Sequence, residues 1–148
     1  MGGRRGGGKK PGPVILECDE LWSFVGKKAD RYWVWVALDV ATGRVLAMFV
    51  GDRDESGARG LWDALPASHR ASAEFYTDFW EAYAAVLPPG RHHRCAKGSG
   101  KTNHVERFFC TLRQRCARVV RKALSFSKKW ENHISALWFF VHQYNASL

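Results

Sequence analysis

No apolar run in the 148 residues approaches the roughly 18 that a membrane span requires, and the first residues lack the apolar core of a signal peptide. Both absences point to a cytoplasmic protein. Cysteine is sparse: Cys18, Cys95, Cys110 and Cys116 lie far apart and form no C-x-x-C pair. That argues against a disulfide framework or a zinc knuckle and reads the four as small buried apolar residues. Acids are the third shortage, 14 Asp plus Glu against 23 Lys plus Arg for a formal net charge of +9. Such an excess favours polyanions as partners, chiefly nucleic acid, and hence association with the nucleoid.

Apolar and aromatic residues are plentiful, 46% of the chain with seven Trp and nine Phe, enough for a core within one domain. Residues 1–13, MGGRRGGGKKPGP, cannot contribute to it and read as a flexible basic leader, leaving 14–148 as the folded domain. Three apolar runs follow, VILECDELWSFV, RYWVWVAL and RVLAMFV, separated by the turn-prone GKKAD and VATG. Connections that short require antiparallel neighbours. The middle run is apolar almost throughout, which suits a strand covered on both faces. Glu17, Asp19 and Glu20 lie within the first run. Alternation puts Glu17 and Asp19 on one face and Cys18 and Glu20 on the other. A carboxylate inside a strand needs a partner or a cation, and spacing does not say which of the three is so used.

Beyond Asp52, Ala58, Leu61, Trp62 and Leu65 mark a short helix capped by Asp54 or Ser56, with Pro66 just past its end. Ala73 to Thr77 reads as a strand running into a helix with Phe79, Ala82, Tyr83, Val86 and Leu87 on its apolar face. Asp78 stands at the junction, either as the cap of a box with Glu81 or as an acid at the C-terminal end of a strand, where mixed sheets place ligand sites. In RHHRCAKGSGKT, Cys95 takes the position of the first Gly of a phosphate loop, so nucleotide binding is rejected. Adjacent His92 and His93 face different ways and suggest a solvated patch rather than a metal site. The stretch 101–122 places Val105, Phe108, Phe109, Leu112, Cys116, Val119 and Val120 on one stripe of a helix of about five turns. Glu106 sits beside the stripe among cations, as half of an ion pair or as a metal-binding carboxylate. A last helix begins near Ser127 and carries Trp130, Ile134, Leu137, Trp138, Val141 and Tyr144 inward.

Three antiparallel strands, a helix, a strand, a helix, a short strand and two helices form the order of an α/β, ribonuclease-H-like mixed sheet flanked by helices. The segments DELWSFVGKKADRYWVWVALDVATGRVLA, FYTDFWEAYAAVLPPGRHHRCAKGSGKTNHVERF and LRQRCARVVRKALSFSK resemble the insertion-sequence-one transposases, the InsB-type DDE enzymes, from about Asp19 to Asn145. The resemblance implies an acidic triad at Asp19, Asp78 and Glu106 that holds two Mg²⁺ or Mn²⁺ ions and acts on insertion-sequence ends and target DNA. It also implies homo-oligomers on DNA, and an N-terminal zinc-finger and helix-turn-helix polypeptide as fusion or partner. Where the family usually reads E-R-F-N or E-R-x-N, this chain has Phe109 after Glu106, Arg107 and Phe108.

Cutting a DNA phosphodiester and rejoining its 3′-hydroxyl requires charge on the attacking and leaving oxygens. Two divalent cations about 3.5 to 4 Å apart supply it, and three carboxylates can clamp them. On this expectation the carboxylates lie on the order of 4 to 8 Å apart without ions. Lys97, Lys101, Arg107, Arg113, Arg118 and Arg121 are the expected phosphate contacts. Two alternatives stand beside this one. His104, Arg107 and Tyr144 could belong to a tyrosine recombinase, and Phe109 with no end-recognition domain could mark a catalytically impaired DNA-binding remnant.

Overall fold

The computed structural model describes residues 12–24, 31–78, 81–96, 102–112, 114 and 130–148. The three apolar runs become β1 (Ile15–Phe24), β2 (Arg31–Asp39) and β3 (Val45–Gly51), paired antiparallel as their short connections require. After β3 come α1 (Glu55–Ala64), α2 (Ala67–Ser72), β4 (Glu74–Thr77) and α3 (Glu81–Val86). A 3₁₀ turn at Pro89–Arg91 leads into β5 (His92–Arg94). Helix α4 covers residues 103–112, and α5 is Trp130–Ala146. The sheet runs β3-β2-β1-β4-β5, with β4 parallel to β1 and β5 parallel to β4. This is the ribonuclease-H-like mixed sheet.

Strand β2 explains why both faces are covered. Trp35 and Ala37 point into one core with Leu16, Cys18, Leu61, Phe75 and Tyr83, beneath α1 and α3. Val34, Val36 and Leu38 point into another with Val105, Phe108, Leu112, Leu137 and Val141, beneath α4 and α5. Trp35 is wholly buried, so truncating it to Ala would cost about 3–5 kcal/mol. Helix α1 lies close against it because residue 57 is glycine. A Cβ there would meet the Asp52 carbonyl oxygen at 2.2 Å and the Trp35 ring at 2.5 Å. Asp54 caps α1 by accepting from the Gly57 N–H at 3.2 Å and the Ser56 hydroxyl at 2.5 Å, and these bonds hold its carboxyl below the usual range. On the far edge Asn145 of α5 mimics a strand, accepting from Val45 N at 2.9 Å and donating to Val45 O at 3.0 Å.

Helix α2 has no counterpart in the sequence reading. It is six residues long with none buried, so it leaves no apolar stripe. Cysteine usage also needs correcting: Cys18 is buried, but Cys95 is half-buried and Cys110 exposed. Residues 1–11 of the basic leader, Cys116, the helical reading of 115–122 and the Ser127 cap lie outside the described residues. Among the described residues no helix is long and apolar enough to cross a membrane.

Candidate active site

The parallel register of β1 and β4 brings the first two acids together. Glu17 is level with Tyr76, and β4 ends at Thr77. Continuing that count puts Asp78, the first residue past the strand, level with Asp19. Beyond this point β1 is no longer covered by β4, and the sheet opens on a cleft of about 430 Å³. Asp19, Glu20, Trp33, Arg53, Asp78, Glu106, Phe109 and Cys110 line it. Carboxylate oxygens of Asp19, Glu20 and Asp78 lie within 4.8 Å of one another.

Such crowding has an electrostatic cost. Burial, then the neighbouring Glu20, and more weakly Asp78, push the Asp19 carboxyl up from 3.8 to about 7, against the opposing Glu20 N–H bond at 2.8 Å. Glu20 is buried and both of its oxygens are engaged. Tyr83 donates its hydroxyl to Oε1 at 2.8 Å, and Arg53 donates Nε to Oε2 at 3.0 Å. Burial and Glu20 raise the Tyr83 hydroxyl well above its ordinary pKa, so it remains a donor. The Arg53 guanidinium also lies over the Trp33 ring, 4.7 Å from its centroid, which fixes a cation in the cleft wall.

Glu106 enters from α4. It is half-buried and lines the same cleft, but it is not among the three residues gathered within 4.8 Å. Its Oε1 accepts from the Thr102 hydroxyl at 3.2 Å. Phe109 and Cys110 continue the wall, Phe109 being a core residue at 4% exposure and Cys110 open to solvent.

Of the predicted phosphate contacts, Arg107 is exposed on α4. Lys97, Lys101, Arg113, Arg118 and Arg121 lie outside the described residues. Tyr144 packs edge-on against Phe108, 4.9 Å between centroids, and is not one of the residues lining the cleft. His92 and His93 are each committed elsewhere, His92 to the Thr77 hydroxyl at 2.6 Å and His93 to Glu74 at 2.7 Å. Sequence reasoning missed Glu20, Arg53 and Trp33 as cleft residues. Strand alternation assigns Glu20 to the face opposite Asp19. The available signal was that an acid in an apolar strand needs a partner.

The IS1 transposase profile matches residues 13–145 of this chain. The chain belongs to the IS1 transposase family. It is 34% identical over 131 residues to the insertion element iso-IS1n protein InsB of Shigella dysenteriae, covering 88% of this chain and 96% of that protein. It is 32% identical over 136 residues to the IS1 4 protein InsB of Escherichia coli K12, covering 90% and 78%. Two solved structures share the fold. One is a chain of a simian T-cell lymphotropic virus intasome bound to the PP2A regulatory subunit B56 gamma, with TM-score 0.62 and 20% identity. The match spans 85% of this chain and about half, 48%, of that one. The other is the HTLV-2 integrase catalytic core domain in complex with magnesium, with TM-score 0.57, 15% identity and coverage of 85% and 84%. This IS1-family chain therefore has the architecture of a retroviral integrase core.

Proposed function

We propose that residues 14–148 form the catalytic domain of a DDE transposase, which cuts DNA at insertion-sequence ends and joins the freed 3′-hydroxyl to a target strand. The observation that carries this reading is the meeting of Asp19 and Asp78 within 4.8 Å at an open cleft that Glu106 also lines. The donor set fits Mg²⁺ or Mn²⁺, since all its ligand atoms are carboxylate oxygens and Asp19, its pKa raised by burial first and by Glu20 next, is a carboxylate whose charge a bound cation would stabilise. The HTLV-2 integrase core, solved in complex with magnesium, supports the same choice.

Asp19 and Asp78 would hold one ion in common, and Asp19 with Glu106 a second. Bound divalent ions supply charge to the attacking and leaving oxygens of an in-line displacement. The chain's own residues do the rest. The Glu20 N–H fixes one oxygen of Asp19, and the Thr102 hydroxyl orients Glu106. Arg53, anchored by Glu20 and stacked on Trp33, presents a cation to a strand lying in the cleft. Exposed Arg107 and the basic Lys97, Lys101, Arg113, Arg118 and Arg121 add phosphate contacts that give affinity rather than sequence choice. Recognition of the ends is assigned to a zinc-finger and helix-turn-helix polypeptide, as fusion or partner, and the working form to a homo-oligomer on DNA.

Asp78→Asn tests the reading because it removes a ligand charge with little change of shape. In a fusion with an end-binding domain, nicking and joining of end-containing DNA in Mn²⁺ should disappear, while salt-sensitive DNA binding stays close to wild type. Cleavage by the variant, or by wild type in EDTA, rejects the metal mechanism. Wild-type protein that binds DNA and cuts it under no metal leaves the impaired-remnant reading, which Phe109 in the cleft wall favours.

A further inference from the structure

Helix α4 begins with its usual capping partners exchanged. Thr102 is the N-cap by backbone, since its carbonyl accepts the first helical bond from Glu106 N at 3.2 Å. A threonine so placed ordinarily turns its hydroxyl to the N–H three residues on, here that of Val105. Instead the Val105 N–H donates to Glu17 Oε1 at 2.9 Å, across from β1. The hydroxyl of Thr102, relieved of the cap, donates to Glu106 Oε1 at 3.2 Å. The second oxygen of Glu17 takes a 2.6 Å hydrogen bond with His104 Nδ1. Glu17 is 3% exposed, so a strand carboxylate has been buried to meet two adjacent residues of one helical turn.

Two bonds from one rigid strand to successive residues fix both the start and the rotation of the helix. Rotation matters because one residue of slip turns a helix by about 100° and would carry Glu106 out of the cleft. Asp19 lies two residues from Glu17 on the same face of the same strand, so whatever ties α4 to Glu17 also sets Glu106 against Asp19. We infer that Glu17 is a positioning residue for Glu106: it caps α4 from the sheet and thereby releases the Thr102 hydroxyl to hold the third carboxylate at the cleft. The inference rests on the three-acid reading above.

The test measures Mn²⁺ affinity of the purified protein by calorimetry, without DNA, together with hydrogen exchange at the Val105 amide. Glu106→Gln establishes how much the third acid contributes. Glu17→Leu should weaken Mn²⁺ binding by about tenfold or more, the usual scale for loss of an outer support, and speed exchange at Val105. Glu17→Gln, which keeps an oxygen for the Val105 N–H, should stay within about threefold of wild type. In the Glu106→Gln background Glu17→Leu should change affinity by less than about twofold, because there is no third carboxylate left to misplace. Thr102→Val decides the matter if Glu17→Leu does not fold. It should weaken Mn²⁺ binding, again without further effect beside Glu106→Gln, and leave Val105 exchange unchanged. Wild-type Mn²⁺ affinity in folded Glu17→Leu or in Thr102→Val, or effects that add fully to Glu106→Gln, overturn the positioning role alone. An unchanged affinity in Glu106→Gln overturns the three-acid site and this inference with it.

Discussion

Replacing Asp19 by asparagine should make the metal-free protein more stable while ending its chemistry. The Asp19 pKa rises from 3.8 to about 7 through burial first and Glu20 next. An unfolded chain releases the same proton near pH 4. Between about pH 4 and 7 the folded protein therefore holds more protons than the unfolded one, and stability falls as pH rises through the folded pKa. At about 1.4 kcal/mol per unit the full penalty at pH 8 is roughly 4 kcal/mol. Water entering the cleft screens part of it, leaving about 2 kcal/mol, or roughly 5 °C in Tm for a domain of this size. Thermal unfolding in EDTA reads this directly. Asp19→Asn should melt above wild type at pH 8, and the gap should narrow towards pH 5. Mn²⁺ should then raise the wild-type Tm at pH 8 and leave that of the variant nearly where it was. A variant less stable than wild type at pH 8, or a gap that ignores pH, would refute the crowding argument.

Three other outcomes can be measured with the same protein. Phe109→Asn restores the amide usual in the family but removes a ring at 4% exposure, so it should cost about 2–4 kcal/mol by urea titration. Strand transfer, assayed cold in a fusion with an end-binding domain, should nevertheless rise, and unchanged activity makes the departure neutral. Tyr83→Phe strips Glu20 Oε1 of its donor within the core and should cost about 1–3 kcal/mol, whereas a loss below about 0.5 kcal/mol means that the bond is not needed. Tyr144→Phe removes a hydroxyl from an aromatic cluster that does not line the acidic cleft and should leave cleavage within about twofold. Its abolition, with cleavage surviving EDTA, would establish a covalent phosphotyrosine route instead.

Much of the fold was legible because each local signal agreed with the global one. The unbroken apolar run of β2 announced a strand covered on both faces, and Val34 and Trp35 do enter different cores. Of the two caps that the sequence offered for α1, Asp54 and Ser56, Asp54 is the one used. Helix α2 was illegible, since six exposed residues after a proline bury nothing and leave no period to read. The pairing of Asp19 with Asp78 depends on a parallel register set 59 positions apart, which no local pattern encodes; there the resemblance carried the reading and periodicity did not. Glu20 was lost for a related reason. Alternation correctly put it on the face towards Tyr83, but at the open end of a sheet the two faces meet around the strand edge.

Strand β1 spends three acids within four residues on three separate tasks: Glu17 on α4, Asp19 on the cleft, Glu20 on Tyr83 and Arg53. For a mobile element this divides inactivating mutations into two kinds. A change at Glu17 or Glu20 that removes the acceptor oxygens leaves the Val105 N–H or the Tyr83 hydroxyl unmet and should cost about 1–3 kcal/mol of stability along with the chemistry. Such a copy should yield less folded protein. A change at Asp19 removes charge from a crowded site and should leave a folded, basic protein. On the proposed function, such a copy joined to its end-recognition polypeptide would compete with active enzyme for the same ends, and decay at that one codon would act as a brake on the element's spread.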